Sequence, residues 1–191
     1  MTATGDVGQD QRPLLTVDLD GVICRPPLGL NLGISRDAPD PQAPPPRALV
    51  SPRWVGEPVD RLRFDFRRPL PEAREALAAL SSLRRVVVLT GRRSSPERWL
   101  QRHGMAEFVD RIVTNDSQDA SSHFKLRSLL DLGAVEHIDD DGSTAQLLAR
   151  LGPARVYLRD WPRNRDLPEA AGLTRVTDLR ELARLLAATA A

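Results

Sequence analysis

The sequence predicts an α/β fold, a parallel sheet with helices on both faces, and two observations predict it. Short apolar runs alternate along the chain with longer segments whose apolar residues recur at helical spacing. Asp18, Thr90 and Asp139 stand at the ends of three of these runs. Because ligands of open parallel sheets bind beyond the carboxyl ends of the strands, we expect these side chains at one edge of the sheet.

Five apolar runs are predicted to be buried strands. The first run, LLTV, ends in Asp-Leu-Asp-Gly, which is a turn signal, and the second, VVVL, ends in Thr-Gly-Arg. The fourth ends in three consecutive aspartates. The predicted strands cover residues 14–17, 86–89, 108–114, 135–138 and 155–158.

Five helices are predicted between and after these strands. Pro71 marks the start of the first helix, and Gly133 is the predicted C-cap of the third. Gly152-Pro153 stops the fourth helix, and the fifth is amphipathic. The predicted helices cover residues 71–83, 95–104, 121–132, 143–151 and 178–188.

Proline density divides the chain into a core and an insertion. Residues 26–71 hold 11 of the 16 prolines, including Pro44-Pro45-Pro46, which excludes a long helix or a central strand there. We therefore predict a flexible tail over residues 1–12, a core formed by 13–25 and 66–191, and a small irregular Pro-rich cap over 26–65. The cap is expected to cover the site.

Composition restricts the partners and the compartment. The net charge of +1 provides no global attraction to nucleic acid or membrane. No apolar run approaches the roughly 20 residues that a membrane-spanning helix needs, and the N-terminal residues lack the apolar core of a secretory signal. Cys24 is the only cysteine, so no intrachain disulfide can form, as is typical of a reducing compartment. These features predict a cytoplasmic protein.

Two carboxylates follow the first strand. Asp18 and Asp20 are two residues apart, so on an extended chain their side chains point to the same side. Gly21 follows and permits a sharp turn with close approach of the backbone. A carboxylate cluster suits Mg²⁺, which prefers oxygen ligands, whereas without a cation the carboxylates would raise one another's pKa.

Four segments, in order, resemble the motifs of the haloacid dehalogenase (HAD) superfamily. LLTVDLDGV at 14–22 resembles the first motif, and VVVLTGR at 86–92 resembles the second. Lys125 matches the third, and VEHIDD at 135–140 resembles the paired-acid form of the fourth. The resemblance covers residues 14–25 and about 70–160. It implies a Rossmann-like three-layer α/β/α domain with strand order 5-4-1-2-3.

The resemblance also implies an aspartyl-phosphate mechanism. Asp18 would attack phosphorus, and Asp20 would protonate the leaving group and then deprotonate the hydrolytic water. Thr90 would hydrogen-bond a phosphoryl oxygen. Lys125, the only lysine beside 26 arginines, would offset the negative charge. The presence of an acid at Asp20 distinguishes the phosphatases of this superfamily from its dehalogenases, which lack it.

The implied cofactor is Mg²⁺. Its ligands would be Asp18, the backbone carbonyl of Asp20 and Asp139, and Asp140 would hold its waters. The sequence leaves open whether Asp140 or Asp141 is the second acid, because Asp141 also suits the N-terminus of the following helix.

The substrate is predicted to be a small phosphorylated compound, with a nucleotide as the first choice. Gly91 and Arg92 are predicted to contact it. LRDWPRNRDLP at 158–168 contains a Pro-x-Asn-Arg segment that resembles one in 5′(3′)-deoxyribonucleotidases of the same superfamily. Those enzymes, however, carry a helical cap where this chain has the Pro-rich insertion.

Two alternatives remain open. Residues 90–100 also resemble the polynucleotide 3′-phosphatase version of the fold, which predicts salt-dependent binding of nucleic acid. The chain could instead be a catalytically weak binding module that presents Pro44-Pro45-Pro46 to a partner as a polyproline II helix.

Overall fold

Six parallel strands form one sheet at the centre of the protein. The computed structural model describes residues 10–25, 66–168 and 170–190. Within them the strand order is β3-β2-β1-β4-β5-β6, and every neighbouring pair is parallel. The strands are β1 (Leu14–Val17), β2 (Arg85–Thr90), β3 (Arg111–Thr114), β4 (Glu136–Asp139), β5 (Arg155–Arg159) and β6 (Leu173–Val176).

Helices cover both faces of this sheet. Val86 and Val88 of β2 belong to one hydrophobic core, and Val87 and Leu89 belong to the other, because successive side chains of a strand alternate between faces. The helices are α1 (Ala73–Leu83), α2 (Glu97–Arg102), α3 (Ser121–Leu132), α4 (Gly142–Leu151) and α5 (Leu179–Ala190). Three of them, α1, α2 and α5, contribute to the first core, and α3 and α4 contribute to the second.

The predicted fold class is confirmed, with one strand added. The expected order 5-4-1-2-3 is present, and β6 extends the sheet beside β5. The sequence analysis did not predict β6 because LTRV lacks a continuous apolar run: only Val176 is buried in this edge strand. The third strand begins at Arg111, later than predicted, because Ala106–Phe108 form a 3₁₀ turn.

Two buried ion pairs attach α1 to the rest of the domain. Arg84, directly after α1, places its Nε 2.7 Å from Glu136 Oε2 at the start of β4. Arg159, at the end of β5, places its Nη2 2.6 Å from Glu72 Oε1 at the start of α1. Opposite ends of α1 are therefore tied to β4 and β5.

The predicted cap over 26–65 lies outside the described residues, as does most of the predicted tail. Among the described helices, none has the length and apolar character that crossing a membrane requires.

Candidate active site

The carboxyl ends of β1, β2 and β4 bring the predicted site residues together. Asp18 directly follows β1, and Thr90 and Asp139 are the last residues of β2 and β4. The backbone N–H of Asp18 donates to the carbonyl of Ile138 at 3.0 Å, which joins the first loop to β4. All three polar side chains are buried.

Three buried aspartates form an acidic group at this edge. Carboxylate oxygens of Asp18, Asp139 and Asp140 lie within 4.8 Å of one another. Burial raises the pKa of Asp18 to about 6; the Asp139 charge also raises it, whereas Lys125 lowers it. Buried carboxylates this close together disfavour their charged forms unless a cation is nearby, and an all-oxygen donor set fits Mg²⁺.

Lys125 reaches this group from α3. Its Nζ lies 2.9 Å from Asp18 Oδ1 and 2.8 Å from Asp139 Oδ2, and the side chain is buried. Burial alone would lower the pKa of Lys125, but the charges of Asp139 and Asp18 outweigh it and hold that pKa above its ordinary value. Lys125 is therefore a fixed positive charge between two carboxylates.

The Asp139 carboxylate accepts four hydrogen bonds. Its Oδ1 accepts from the backbone N–H groups of Asp140 at 2.9 Å and Asp141 at 3.0 Å. Its Oδ2 faces Lys125 Nζ and also lies 3.1 Å from His137 Nε2. Burial favours the protonated form, but the Lys125 charge and the His137 hydrogen bond hold the pKa of Asp139 below its ordinary value.

The neighbouring acids, Asp140 and Asp141, have different partners. Asp141 caps α4: its carboxylate accepts from the Ser143 backbone N–H at 3.0 Å and from the Thr144 hydroxyl at 3.0 Å. Asp140 instead packs against Gly21, whose φ is +75° and where a Cβ would overlap Asp140 Oδ2. Asp140, and not Asp141, is thus the acid that faces the loop after β1.

Asp20 is not a member of this acidic group, and its carboxylate contacts two arginines. Its Oδ2 lies 2.7 Å from Arg92 Nε, and its Oδ1 is in contact with Arg67. Both arginines are buried, and burial lowers the pKa of Arg67 to about 10, an effect that the Arg92 charge increases. The sequence analysis expected the Asp18 and Asp20 side chains on the same side of the chain; of these two acids, the structure places Asp18 in the acidic group and pairs the Asp20 carboxylate with arginines.

Thr90 and Gly91 stand at the junction with α3. The Thr90 hydroxyl accepts from the Arg92 backbone N–H at 3.3 Å. A Cβ at Gly91 would overlap the side chain of Ser121, the first residue of α3. Glycine therefore lets α3, which carries Lys125, begin directly against the end of β2.

The 3₁₀ turn Pro162–Asn164 also touches the site, although the sequence analysis gave none of its residues a role. Arg163 contacts the Asp140 carboxylate, and the Asn164 amide donates to the Asp140 carbonyl at 3.1 Å. Just before the turn, Trp161 Nε1 donates to the Gly21 carbonyl at 2.9 Å. The sequence signals were the position of this segment directly after a predicted strand and the resemblance of its Pro-x-Asn-Arg stretch to a segment of related enzymes.

No family model and no curated protein matches the sequence, but solved structures match the fold. A HAD phosphatase from Thermococcus onnurineus has a TM-score of 0.58 at 15% identity, covering 91% of this chain and 97% of that one. A haloacid dehalogenase-like hydrolase from Streptococcus pneumoniae also has a TM-score of 0.58 at 16% identity, with 91% and 98% covered.

An L-2-haloacid dehalogenase from Xanthobacter autotrophicus is a weaker match. Its TM-score is 0.51 at 16% identity, and the match covers 64% of this chain and 62% of the dehalogenase. At such identities the similarity establishes the architecture and leaves the reaction to the site residues. The chain therefore has the fold of the haloacid dehalogenase superfamily.

Proposed function

We propose that the protein is a Mg²⁺-dependent phosphomonoester hydrolase that acts through an aspartyl-phosphate intermediate. One observation carries the proposal: Asp18, Asp139 and Asp140 form a buried acidic group at the carboxyl edge of the sheet, with the Lys125 ammonium between two of them. Catalysis of phosphoryl transfer depends on positioning and on stabilisation of negative charge. Lys125, and a cation held by the acidic group, would place positive charge next to the carboxylate nucleophile.

The hydrogen bonds favour Asp18 and Asp140 as the residues that hold the metal. Each carboxylate oxygen has two lone pairs, and Asp139 already accepts two donors on each oxygen. Asp139 then serves to hold Lys125 in place. The sequence analysis had instead predicted Asp139 as a metal ligand and Asp140 as the residue that binds the metal's water molecules. When bound, Mg²⁺ supplies Lewis-acid stabilisation of charge on the phosphoryl oxygens.

The reaction proceeds in two displacements at phosphorus. A carboxylate oxygen of Asp18 attacks phosphorus, the bond to the ester oxygen breaks, and Asp20 gives that oxygen a proton. Asp20 then takes a proton from water, whose oxygen attacks phosphorus and breaks the bond to Asp18. The products are the alcohol and inorganic phosphate, and Asp18 returns to its carboxylate form. Thr90 and Lys125 hold phosphoryl oxygens during both displacements.

Arg92 and Arg67 are the proposed substrate-side cations. Both guanidinium groups are buried and contact the Asp20 carboxylate, so positive charge adjoins the proposed general acid. An incoming phosphoryl group would take up part of their hydrogen bonds, which frees the Asp20 carboxylate to take a proton from solvent and pass it to the ester oxygen. Gly91, between the end of β2 and Arg92, is proposed to contact the substrate as well.

A nucleotide remains the proposed substrate. The resemblance of the Pro-x-Asn-Arg segment to one in 5′(3′)-deoxyribonucleotidases motivates this choice, and the segment lies at the site, where Arg163 and Asn164 contact Asp140. The predicted cap over 26–65 would contribute the specificity, because a loop over the site contacts the part of the substrate that does not react.

Phosphate release from a substrate panel tests the proposal. The panel contains nucleotides, sugar phosphates, an aryl phosphate, 3′-phosphorylated oligonucleotides and 2-chloropropionate, assayed with Mg²⁺ or EDTA. We expect Mg²⁺-dependent release that Asp18→Asn abolishes and that Asp131→Asn, an exposed substitution on α3, leaves unchanged. Release from the oligonucleotides alone would favour the polynucleotide phosphatase, and release of chloride would favour a dehalogenase. No turnover of any compound would contradict the proposal and favour the binding module.

Isotopic water separates the two covalent mechanisms. In H₂¹⁸O, attack of water at phosphorus places the label in inorganic phosphate. Attack at the carbonyl carbon of an Asp18 ester would instead place it in the Asp18 carboxylate, as mass spectrometry of the peptide would reveal. We expect labelled phosphate and unlabelled Asp18.

A further inference from the structure

His137 lies on β4, two residues before Asp139, and its side chain contacts the Asp139 carboxylate of the acidic group. His137 and Asp139 are two residues apart on β4, so both side chains point to the same face. Thr16 is the partner of His137 across the β1–β4 pair. His137, Asp139 and Thr16 are completely buried.

The hydrogen bonds define the ring's tautomer. An ionised carboxylate only accepts, so His137 Nε2 carries the hydrogen that it donates to Asp139 Oδ2 at 3.1 Å. Nδ1 is then an acceptor, and the Thr16 hydroxyl, 2.8 Å away, is its donor; the same hydroxyl hydrogen is shared with the Glu136 carbonyl, which is farther away at 3.2 Å. Burial lowers the pKa of His137, in agreement with a neutral ring.

These contacts continue to the nucleophile. Thr16 orients His137, His137 and two backbone N–H groups hold Asp139, and Asp139 holds the Lys125 ammonium 2.9 Å from Asp18 Oδ1. If His137 no longer donated, Asp139 Oδ2 would keep Lys125 as its only donor, and the carboxylate, still held at Oδ1 by two backbone N–H groups, could pivot about that oxygen. The distance between the ammonium group and Asp18 would then no longer be fixed.

We propose that His137 is a positioning residue that, together with Thr16, fixes the Asp139 carboxylate so that Lys125 faces Asp18. If His137 only filled space in the core, an apolar residue would serve as well, because buried hydrogen-bonded groups add little net stability over apolar groups of the same shape. The effect on activity rests on the proposed function, whereas the effect on Lys125 does not.

The single lysine of the chain gives a direct readout. Labelling with [¹⁵N]lysine yields one side-chain resonance, that of Lys125 Nζ, in the full-length protein without metal. In the wild type we expect slow hydrogen exchange at this group, because it is buried between two carboxylates. His137→Leu removes the donor and should shift the resonance and accelerate exchange. His137→Gln keeps a donor of similar reach and should restore values near those of the wild type.

Turnover supplies the second readout. We expect His137→Leu to lower kcat by about 10–100-fold with KM little changed, as is usual for residues that orient a site ligand. His137→Gln should lie within a few-fold of wild type. His103→Leu makes the same change at a histidine whose ring packs against Trp99 at a tilt, with the ring centroids 4.7 Å apart, and should alter neither readout.

A folded His137→Leu protein with the wild-type Lys125 resonance, exchange rate and kcat would overturn the proposal. If His137→Leu does not fold, Thr16→Val decides by the same readouts, because it keeps the ring but removes its hydroxyl partner. If the wild type hydrolyses no phosphomonoester, the proposed function fails, and the resonance and exchange rate still test the positioning role.

Discussion

Replacing the proposed nucleophile should stabilise the metal-free protein. Asp18 is buried, and that burial, with the Asp139 charge, raises its pKa from 3.8 to about 6 despite the nearby Lys125. Each pKa unit corresponds to about 1.4 kcal/mol, so the ionised carboxylate lowers the free energy of unfolding by at most about 3 kcal/mol. Asp18→Asn keeps the shape and the acceptor facing Lys125 but removes the charge. We therefore expect it to increase stability by up to that amount.

The gain should depend on pH in a defined direction. Because the pKa of Asp18 is higher in the folded state than in the unfolded state, the folded protein binds more protons between about pH 4 and pH 6. The wild type thus loses stability, relative to Asp18→Asn, as the pH rises through this window. The full difference is present near pH 7.5 and is nearly gone at pH 4.

Urea denaturation in EDTA at these two pH values measures the effect. Asp131→Asn, an exposed substitution on α3, should change the free energy of unfolding by less than about 0.5 kcal/mol at either pH. Adding Mg²⁺ should reverse the order, because binding stabilises only a protein that retains the carboxylate. If Asp18→Asn were no more stable than wild type near pH 7.5, or equally stabilised at pH 4, the reasoning would be refuted.

Three further substitutions test the site and its support. Gly21→Ala should lower the free energy of unfolding by about 1–2 kcal/mol because Gly21 has a positive φ, and its Cβ should displace Asp140. Calorimetry should then find weaker Mg²⁺ binding, and an unchanged affinity would contradict the packing of Asp140 on Gly21. Lys125→Arg keeps the charge but replaces a compact ammonium with a wider group, and kcat should fall by about 100-fold; near-normal turnover would refute a geometric requirement. Arg84→Met leaves Glu136 buried without its partner and should lower the free energy of unfolding, measured by denaturation, by about 3–5 kcal/mol. The kcat of the folded fraction should stay within a few-fold of wild type. A loss of stability below about 1 kcal/mol would disprove the importance of this pair.

The acids were predictable because they follow apolar runs. A short buried strand has a clear sequence pattern, and the topology of a parallel sheet then places the residues after it at one edge. Asp18, Thr90 and Asp139 meet there for that reason. Lys125 was located by its match to the third motif of the HAD superfamily and by being the only lysine.

The surrounding residues were not predictable in the same way. Among 26 arginines, composition does not distinguish Arg67 and Arg163, and their contacts with Asp20 and Asp140 depend on how loops far apart in sequence cross the edge of the sheet. His137 was visible in the fourth strand, but its role depends on the register that places Thr16 beside it. Register between parallel strands is a tertiary property that local patterns do not contain.

The strand order has a consequence for synthesis of the chain. Of the strands that the structure describes, β1 leaves the ribosome first, yet it lies in the interior of the sheet, between β2 and β4. Its second neighbour, β4, begins at Glu136, more than a hundred residues later, which corresponds to roughly 6–24 s at usual elongation rates. During that interval the edge of β1 that will pair with β4 has no hydrogen-bonding partner, and every residue of β1 except Thr16 is apolar. Nascent chains that stop before β4 should therefore be the aggregation-prone species, and chaperone binding should fall once that strand has emerged.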